Sequence, residues 1–376
     1  MKKIYLTTDY EIFGNGSGCI ERCVTAPAAQ MMKVAERHGA RMTFFVDVLE
    51  FIAFEKALEQ GFCSANIAAV AQVREQLQEA VSRGHDVQLH LHPQWLDAAW
   101  CPEKGWQLNM AYWRIGGLDQ KIGYTRLAEM VQQATDWLNG LLKTADAGYA
   151  CRSFRAGAWC IQPEEAVLRA LRQAGIFLDT TVAPGSRTAG ELTFFDFTEA
   201  PADQWRGWPV ADTVTRPEAE GAMYELPIFT AILPFRLRAL KKLSRHPVLA
   251  PQGCIGDFVG ERQPQKKGSV QRAVNMALGV LQNKATQFDF CSLSRAETDF
   301  MLAKAAAVRS AGSGIVPIVT ISHPKAFGNP EQLAYLLRAA ETYDTITLDR
   351  TDEPSLWRSA SLRELHQNTG YAAASH

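Results

Sequence analysis

The chain has 376 residues, 47% of them hydrophobic and 21% charged, with a formal net charge of -1. That length can bury a large core, as one α/β barrel with insertions or as two smaller domains, and nothing in the composition argues for disorder. A near-neutral balance sets up no global field to steer nucleic acid or a membrane to the protein, so no nucleic-acid partner is expected. Eight cysteines (19, 23, 63, 101, 151, 160, 254, 291) are scattered without a C-x-x-C pair, and the opening Met1 to Leu6 runs into charge at Asp9 before a signal-peptide core forms. Reduced thiols and a cytoplasmic location are the expectation. No run of about 18 apolar residues suggests a spanning helix.

In chain order, Ile4 to Thr8 is an apolar run ending in Asp9 and Glu11, a strand with carboxylates at its carboxyl end. Thr25 and Pro27 open a helix through Met31, Met32 and Ala35, with Gly39 just past its end. Arg41 to Val48 reads as a buried strand. Ser64 to Arg83 puts Ile67, Val70, Val73, Leu77 and Ala80 on one helical face and stops at Gly84. The next strand, Gly84 to Pro93, alternates Leu89 and Leu91 with His90 and His92, so both imidazoles project to one face. The order β-α-β-α-β is the signature of parallel strands.

Residues 95 to 117 interrupt that rhythm with Trp95, Trp100, Trp106, Tyr112 and Trp113, flat faces suited to stack on a sugar ring or to pack an insertion onto the barrel. A long amphipathic helix over Leu127 to Leu141 follows, then a short strand, Phe154 to Trp159, carrying Arg155. A helix opening at Pro163 ends at Gly175, and Ile176 to Asp179 is a strand with an acid at its end. From about 181 to 292, Pro- and Gly-containing loops surround one strand-like run, Met223 to Ile228. Within that stretch Leu233 to His246 forms a basic amphipathic pattern, suited to an anionic membrane or a phosphate-bearing substrate, or to an ordinary surface helix. Ile315 to Ile321 delivers His323, and a helix from Pro330 to Thr342 and a strand from Thr345 to Leu348 close the chain, with little pattern beyond Arg358.

Neither a P-loop nor a G-x-S-x-G elbow is present, so the chemistry falls to five polar clusters at the carboxyl ends of apolar runs: Asp9/Glu11, His90/His92, Arg155/Trp159, Asp179 and His323. In barrels of parallel strands, active sites assemble at that end. Two carboxylates and two imidazoles there suit a divalent cation such as zinc. Each cluster alone has a bland explanation as a strand cap, ion pair or turn. Together, in one order, they do not.

In that order the clusters resemble the five motifs of the polysaccharide deacetylase family, the NodB-homology or carbohydrate esterase family 4 fold, over positions 6 to 327. The resemblance implies a distorted parallel (β/α) barrel of about seven strands spanning 1–376 as one domain, with insertions near 95–117 and 185–290. It implies a metal-dependent hydrolase that removes N-acetyl groups from sugars. Asp9 matches the catalytic base, Arg155 the arginine that orients it, His323 the catalytic histidine and Asp179 the acid that pairs with that histidine. Glu11 and His90 match metal ligands. The family's second histidine lies four residues after the first, where this chain has Gln94; His92 is the nearby imidazole, so the expected ligands are Glu11, His90 and His92, with Gln94 as the alternative. Trp159 matches the aromatic wall, and Tyr10 and Trp95 are expected beside it as substrate-binding residues. The expected metal is Zn2+.

The expected substrate is a small sugar or a nucleotide-linked or lipid-linked glycan of surface polysaccharide assembly, with peripheral membrane contact through 233–246. The alternatives are hydrolysis of a non-sugar amide or formyl group on the same barrel, and a catalytically silent carbohydrate binder.

Overall fold

In the computed structural model, which describes residues 1–243, 284–309, 314–359 and 362–369, the chain winds around a strand buried on both faces. This is β1 (Lys2–Tyr10). Six further strands run parallel to their neighbours: β2 (Met42–Asp47), β3 (Asp86–Leu91), β4 (Ser153–Ala156), β5 (Leu178–Asp179), β6 (Met223–Glu225) and β7 (Val316–Val319). Their order is β6-β5-β4-β3-β2-β1-β7. The sheet curls until Ile228, just past β6, bridges Val319 of β7 in parallel, so seven strands enclose a distorted barrel. Trp208–Val210 adds to β6 antiparallel, and Ile346–Leu348 pairs with the first half of β1.

Strands covered on both faces read as continuous apolar runs, and β2 and β3 are buried at every position. The helices that cover them begin and end on the expected signals. Ala26–Arg37 has Pro27 in its first turn, and Gly39 follows it at φ +63°, a conformation that favours glycine. Arg295–Ala307 opens on a capping box of Ser294 and Glu297. Helices Tyr124–Leu142 and Pro330–Ala340 lie within three residues of the expected spans at each end.

The barrel interior is layered. Tyr5, Phe45, Leu178, Tyr224 and Val319 form an inner cluster with Trp357, which comes from the C-terminal segment. Trp357 is fully buried and meets Tyr5 and Phe45 edge-on at 5.7 and 5.5 Å, closing the end where the strands begin. Arg155 lies over the Phe45 ring at 4.2 Å. The polar residues therefore collect at the opposite end, where the strands finish.

Three features depart from the sequence expectations. A helix, Val48–Glu59, follows β2 without a loop; the run from Phe44 to Phe54 is buried throughout and apolar apart from Asp47 and Glu50, so no period separates strand from helix. Leu362–Thr369 is a helix where no pattern was read. Cys23 is disulfide-bonded, which corrects the expectation of reduced thiols throughout, while Cys19, Cys63, Cys101, Cys151, Cys160 and Cys291 are free. Bridge formation needs spatial approach, not a C-x-x-C spacing.

The aromatic insertion contains a hairpin of Ala99–Cys101 and Gly105–Gln107. Of the basic stretch 233–246, residues 244–246 lie outside the described residues; Phe235–Leu243 is a helix with Phe235 and Leu240 exposed. Among the described residues, no helix is long and apolar enough to cross a membrane.

Candidate active site

The alternation of β1 and β3 aims their side chains at one spot. Glu11 follows β1, and His90 and His92 lie at the end of β3. His92 Nε2 is 2.8 Å from Glu11 Oε2, and His90 Nε2 is 3.6 Å from the same oxygen. All three residues are buried, and their ligand atoms lie within 4.8 Å of one another. His90 Nδ1 sits 2.9 Å from the carbonyl oxygen of Arg155. A carbonyl only accepts, so Nδ1 carries the proton and Nε2 turns a lone pair into the cluster. That nitrogen is buried without a hydrogen-bond partner among the described residues. Two imidazoles and one carboxylate oxygen form a donor set that fits a zinc-like cation. Gln94 stands behind His92: its amide nitrogen lies 3.2 Å from His92 Nδ1 and donates to Gly14 O. The geometry thus brings His92, rather than Gln94, to Glu11.

Asp9 is held from the opposite side. Arg155 Nη1 donates to Asp9 Oδ1 at 2.7 Å, Nη2 to Thr7 Oγ1 and Nε to Thr180 O. Burial alone would push the Asp9 carboxyl up, but Arg155, His90 and His323 outweigh it and hold the group below its usual value. Glu11 behaves alike: burial opposes ionisation, and Lys325 and His92 overcome it, leaving the carboxyl well below its ordinary range. His323 faces both, with Nε2 3.5 Å from Asp9 Oδ2 and 3.8 Å from Glu11 Oε1. Burial lowers its pKa more than the neighbouring acids raise it.

These groups line a cavity of about 170 Å³ walled by Trp113 and Trp159. Trp159 enters on a turn in which Ala158 (φ 51°) and Trp159 (φ 58°) are both left-handed, a costly backbone for residues with a Cβ. Gly157 makes that turn possible, since a Cβ there would stand 2.5 Å from Leu91 O and 2.7 Å from the His92 ring.

Three expected roles are corrected. Asp179 does not pair with His323: its Oδ1 accepts from Thr181 Oγ1, and it lies opposite Glu225 in the strand register. The reason is position, since β5 lies beside β4 and β6, whereas His323 follows β7 and faces Asp9. Tyr10 does not reach the cavity; lying between Asp9 and Glu11 on a strand, it points the other way, packs on Phe44 and Phe51 and donates to Gln76. Trp95 is 1% exposed and packs against Phe54 and Trp106, so it belongs to the core.

Sequence reasoning missed Lys325, whose Nζ bonds to Glu11 Oε1 and Ile12 O at 2.7 Å each. It lies two residues after His323, a charge that the five-cluster reading passed over. Asp47, at the end of β2, was also missed; it accepts from His92 N at 3.1 Å, and burial raises its pKa to about 7. Asp47 carried the signal used elsewhere, a charge near the end of an apolar strand, whereas Glu225 stands inside the run Met223 to Ile228 and only the structure ends its strand there.

Fold and site together define a parallel (β/α) barrel with a two-histidine, one-carboxylate cluster and an Asp–Arg pair at the carboxyl ends of its strands. No family model and no curated protein matches the sequence. Among solved structures, the chain is similar to a Mycobacterium smegmatis protein assigned as a polysaccharide deacetylase (13% identity, 93% of this chain and 87% of that one, TM-score 0.41). It is also similar to the Puue allantoinase (12%, 98% and 92%, 0.44). A third is the Xyl-CE4 domain of a multidomain xylanase from the hindgut metagenome of Trinervitermes trinervoides (10%, 99% and 93%, 0.33). At these identities and scores the likenesses carry no argument about activity.

Proposed function

We propose that this chain is a metal-dependent hydrolase that removes an N-acetyl or similar N-acyl group from a sugar. The observation that carries the reading is the His90 ring, committed through Nδ1 to a carbonyl and turning Nε2 toward Glu11 and His92. A zinc-type cation held by Glu11, His90 and His92 would supply Lewis acidity to the acyl carbonyl and to a water. The chain's own groups do the rest. Asp9, kept ionised by Arg155, takes a proton from the water. His323, neutral at rest and 3.5 Å from Asp9, receives that proton and passes it to the departing amine, a poor leaving group until protonated. Trp113 and Trp159 exclude solvent and supply flat faces for a sugar ring.

A nucleotide-linked or lipid-linked sugar, an intermediate of surface polysaccharide assembly, suits the aromatic walls and the basic helix at Phe235–Leu243. The test is acetate release from N-acetylated sugars, nucleotide sugars and formamides by the zinc-loaded protein. We expect release from a sugar, a loss of about 100-fold or more in Asp9→Asn, and loss of activity on chelation that zinc restores. Release from formamides alone would move the reaction to a non-sugar amide. One bound zinc per chain with no acid released from any of them would overturn the hydrolase reading.

A further inference from the structure

Behind Arg155 lies a second pair of acids that the reaction above does not use. Asp179 ends β5 and Glu225 ends β6, and the parallel register sets them directly opposite each other. Both are buried, at 1% and 0% exposure. One oxygen of each is satisfied: Asp179 Oδ1 accepts from Thr181 Oγ1 at 2.6 Å, and Glu225 Oε1 accepts from Val182 N at 3.0 Å. The other two, Asp179 Oδ2 and Glu225 Oε2, receive no N–H or O–H donor among the described residues. Paired positions on neighbouring strands project to the same face, so each unpartnered oxygen has the other carboxyl group beside it.

An ionised carboxylate only accepts, so the two unpartnered oxygens can satisfy each other only when one of the carboxyl groups carries a proton. Two bare negative charges buried at paired strand positions would repel strongly, as in other buried carboxylate pairs. The charged group facing them is Arg155 from β4, whose side chain also bonds to Asp9, Thr7 and Thr180. If both acids were ionised, two charges would compete with Asp9 for that single guanidinium. One retained proton removes half of that competition.

We propose that Asp179 and Glu225 share one proton in the native protein, forming an acid–carboxylate pair, and that Glu225 is thereby a positioning residue for the Arg155–Asp9 ion pair. This assigns Asp179 a partner other than His323 and gives Glu225 a role. It does not depend on which substrate the cavity takes.

The sign of the consequence is fixed. In the unfolded chain both acids ionise above their ordinary range, near 3.8 and 4.5. The native pair keeps a proton that the unfolded chain releases, so rising pH favours unfolding, by tenfold in the equilibrium constant per pH unit for each retained proton. Denaturant unfolding of the full chain from pH 5 to 8 therefore tests the pair directly, comparing wild type with Glu225→Gln and Asp179→Asn. Each variant donates to its neighbour without a titrating proton. The expected result is a pH slope about one proton shallower in both variants than in wild type, so that the variants gain on wild type as pH rises. The infrared difference spectrum between wild type and Glu225→Gln at neutral pH should show one protonated carboxyl more in wild type, above the band that other buried acids such as Asp47 contribute to both. A merely structural glutamate would shift stability by an amount independent of pH. Equal slopes, or a protonated-carboxyl band of the same intensity in wild type and Glu225→Gln, would overturn the proposal. Both readouts stand apart from acid release, so a failed deacetylase assay and a failed proton pair are separate outcomes.

Discussion

Arg155 is the residue on which the polar end of the barrel turns. It is fully buried, stacked on Phe45, and bonded to Asp9, Thr7 and Thr180 from two other strands or their ends. Replacing it with Met leaves Asp9 with an uncompensated buried charge, and a loss of about 3–5 kcal/mol in stability by urea unfolding is expected. The depressed carboxyls also set the acid limb. Asp9 and Glu11 titrate below their unfolded values, so their stabilisation is present above pH 4.5 and is lost as pH falls through the lower native values. Unfolding monitored by circular dichroism should show stability falling below about pH 4, with Arg155→Met showing a weaker acid limb because Asp9 has lost the partner that depresses it. Arg155 was legible in the sequence because a charge inside an apolar strand end needs a partner. The family resemblance named Asp9 as the acid it would orient, and Arg155 Nη1 lies 2.7 Å from Asp9 Oδ1.

At the scale of one element, the turn after β4 shapes the site. Gly157, Ala158 and Trp159 follow Arg155 directly, and the left-handed backbone at Ala158 and Trp159 brings the indole to the cavity wall. Gly157 lies so close to the His92 ring that an added Cβ would meet it at 2.7 Å. Gly157→Ala is therefore expected to cost about 1–3 kcal/mol through overpacking. Displacement of His92 should also weaken zinc binding by about 10- to 100-fold, read by titration of the metal-free protein. Ala158→Gly tests the strain with the opposite sign, and a gain of about 1 kcal/mol is expected in the same unfolding assay. The motif Phe-Arg-Ala-Gly-Ala-Trp announced a strand with a charge. It did not announce that the strand stops at Ala156 and turns, because consecutive left-handed residues with a Cβ are a tertiary demand that local preference opposes.

For the whole molecule, the barrel is polar at one end and sealed at the other by Trp357, a residue far along the chain from the strands it touches. Trp357→Ala should cost about 3–5 kcal/mol, measured by thermal or urea unfolding, because it empties the layer beneath Phe45 on which Arg155 rests. The sequence by itself determined the run of parallel strands, the covering helices and the placement of Asp9, Glu11, His90, His92, Arg155 and His323 at strand ends. The reason is that side-chain alternation, apolar runs and helix caps are local properties. Tertiary structure alone decided how those ends face one another. The curl of the sheet set Asp179 against Glu225 and His323 against Asp9 and brought Lys325 to Glu11, and packing on Phe54 and Trp106 drew Trp95 into the core. Such pairings join residues as much as 314 positions apart, and no local pattern records a distance of that kind.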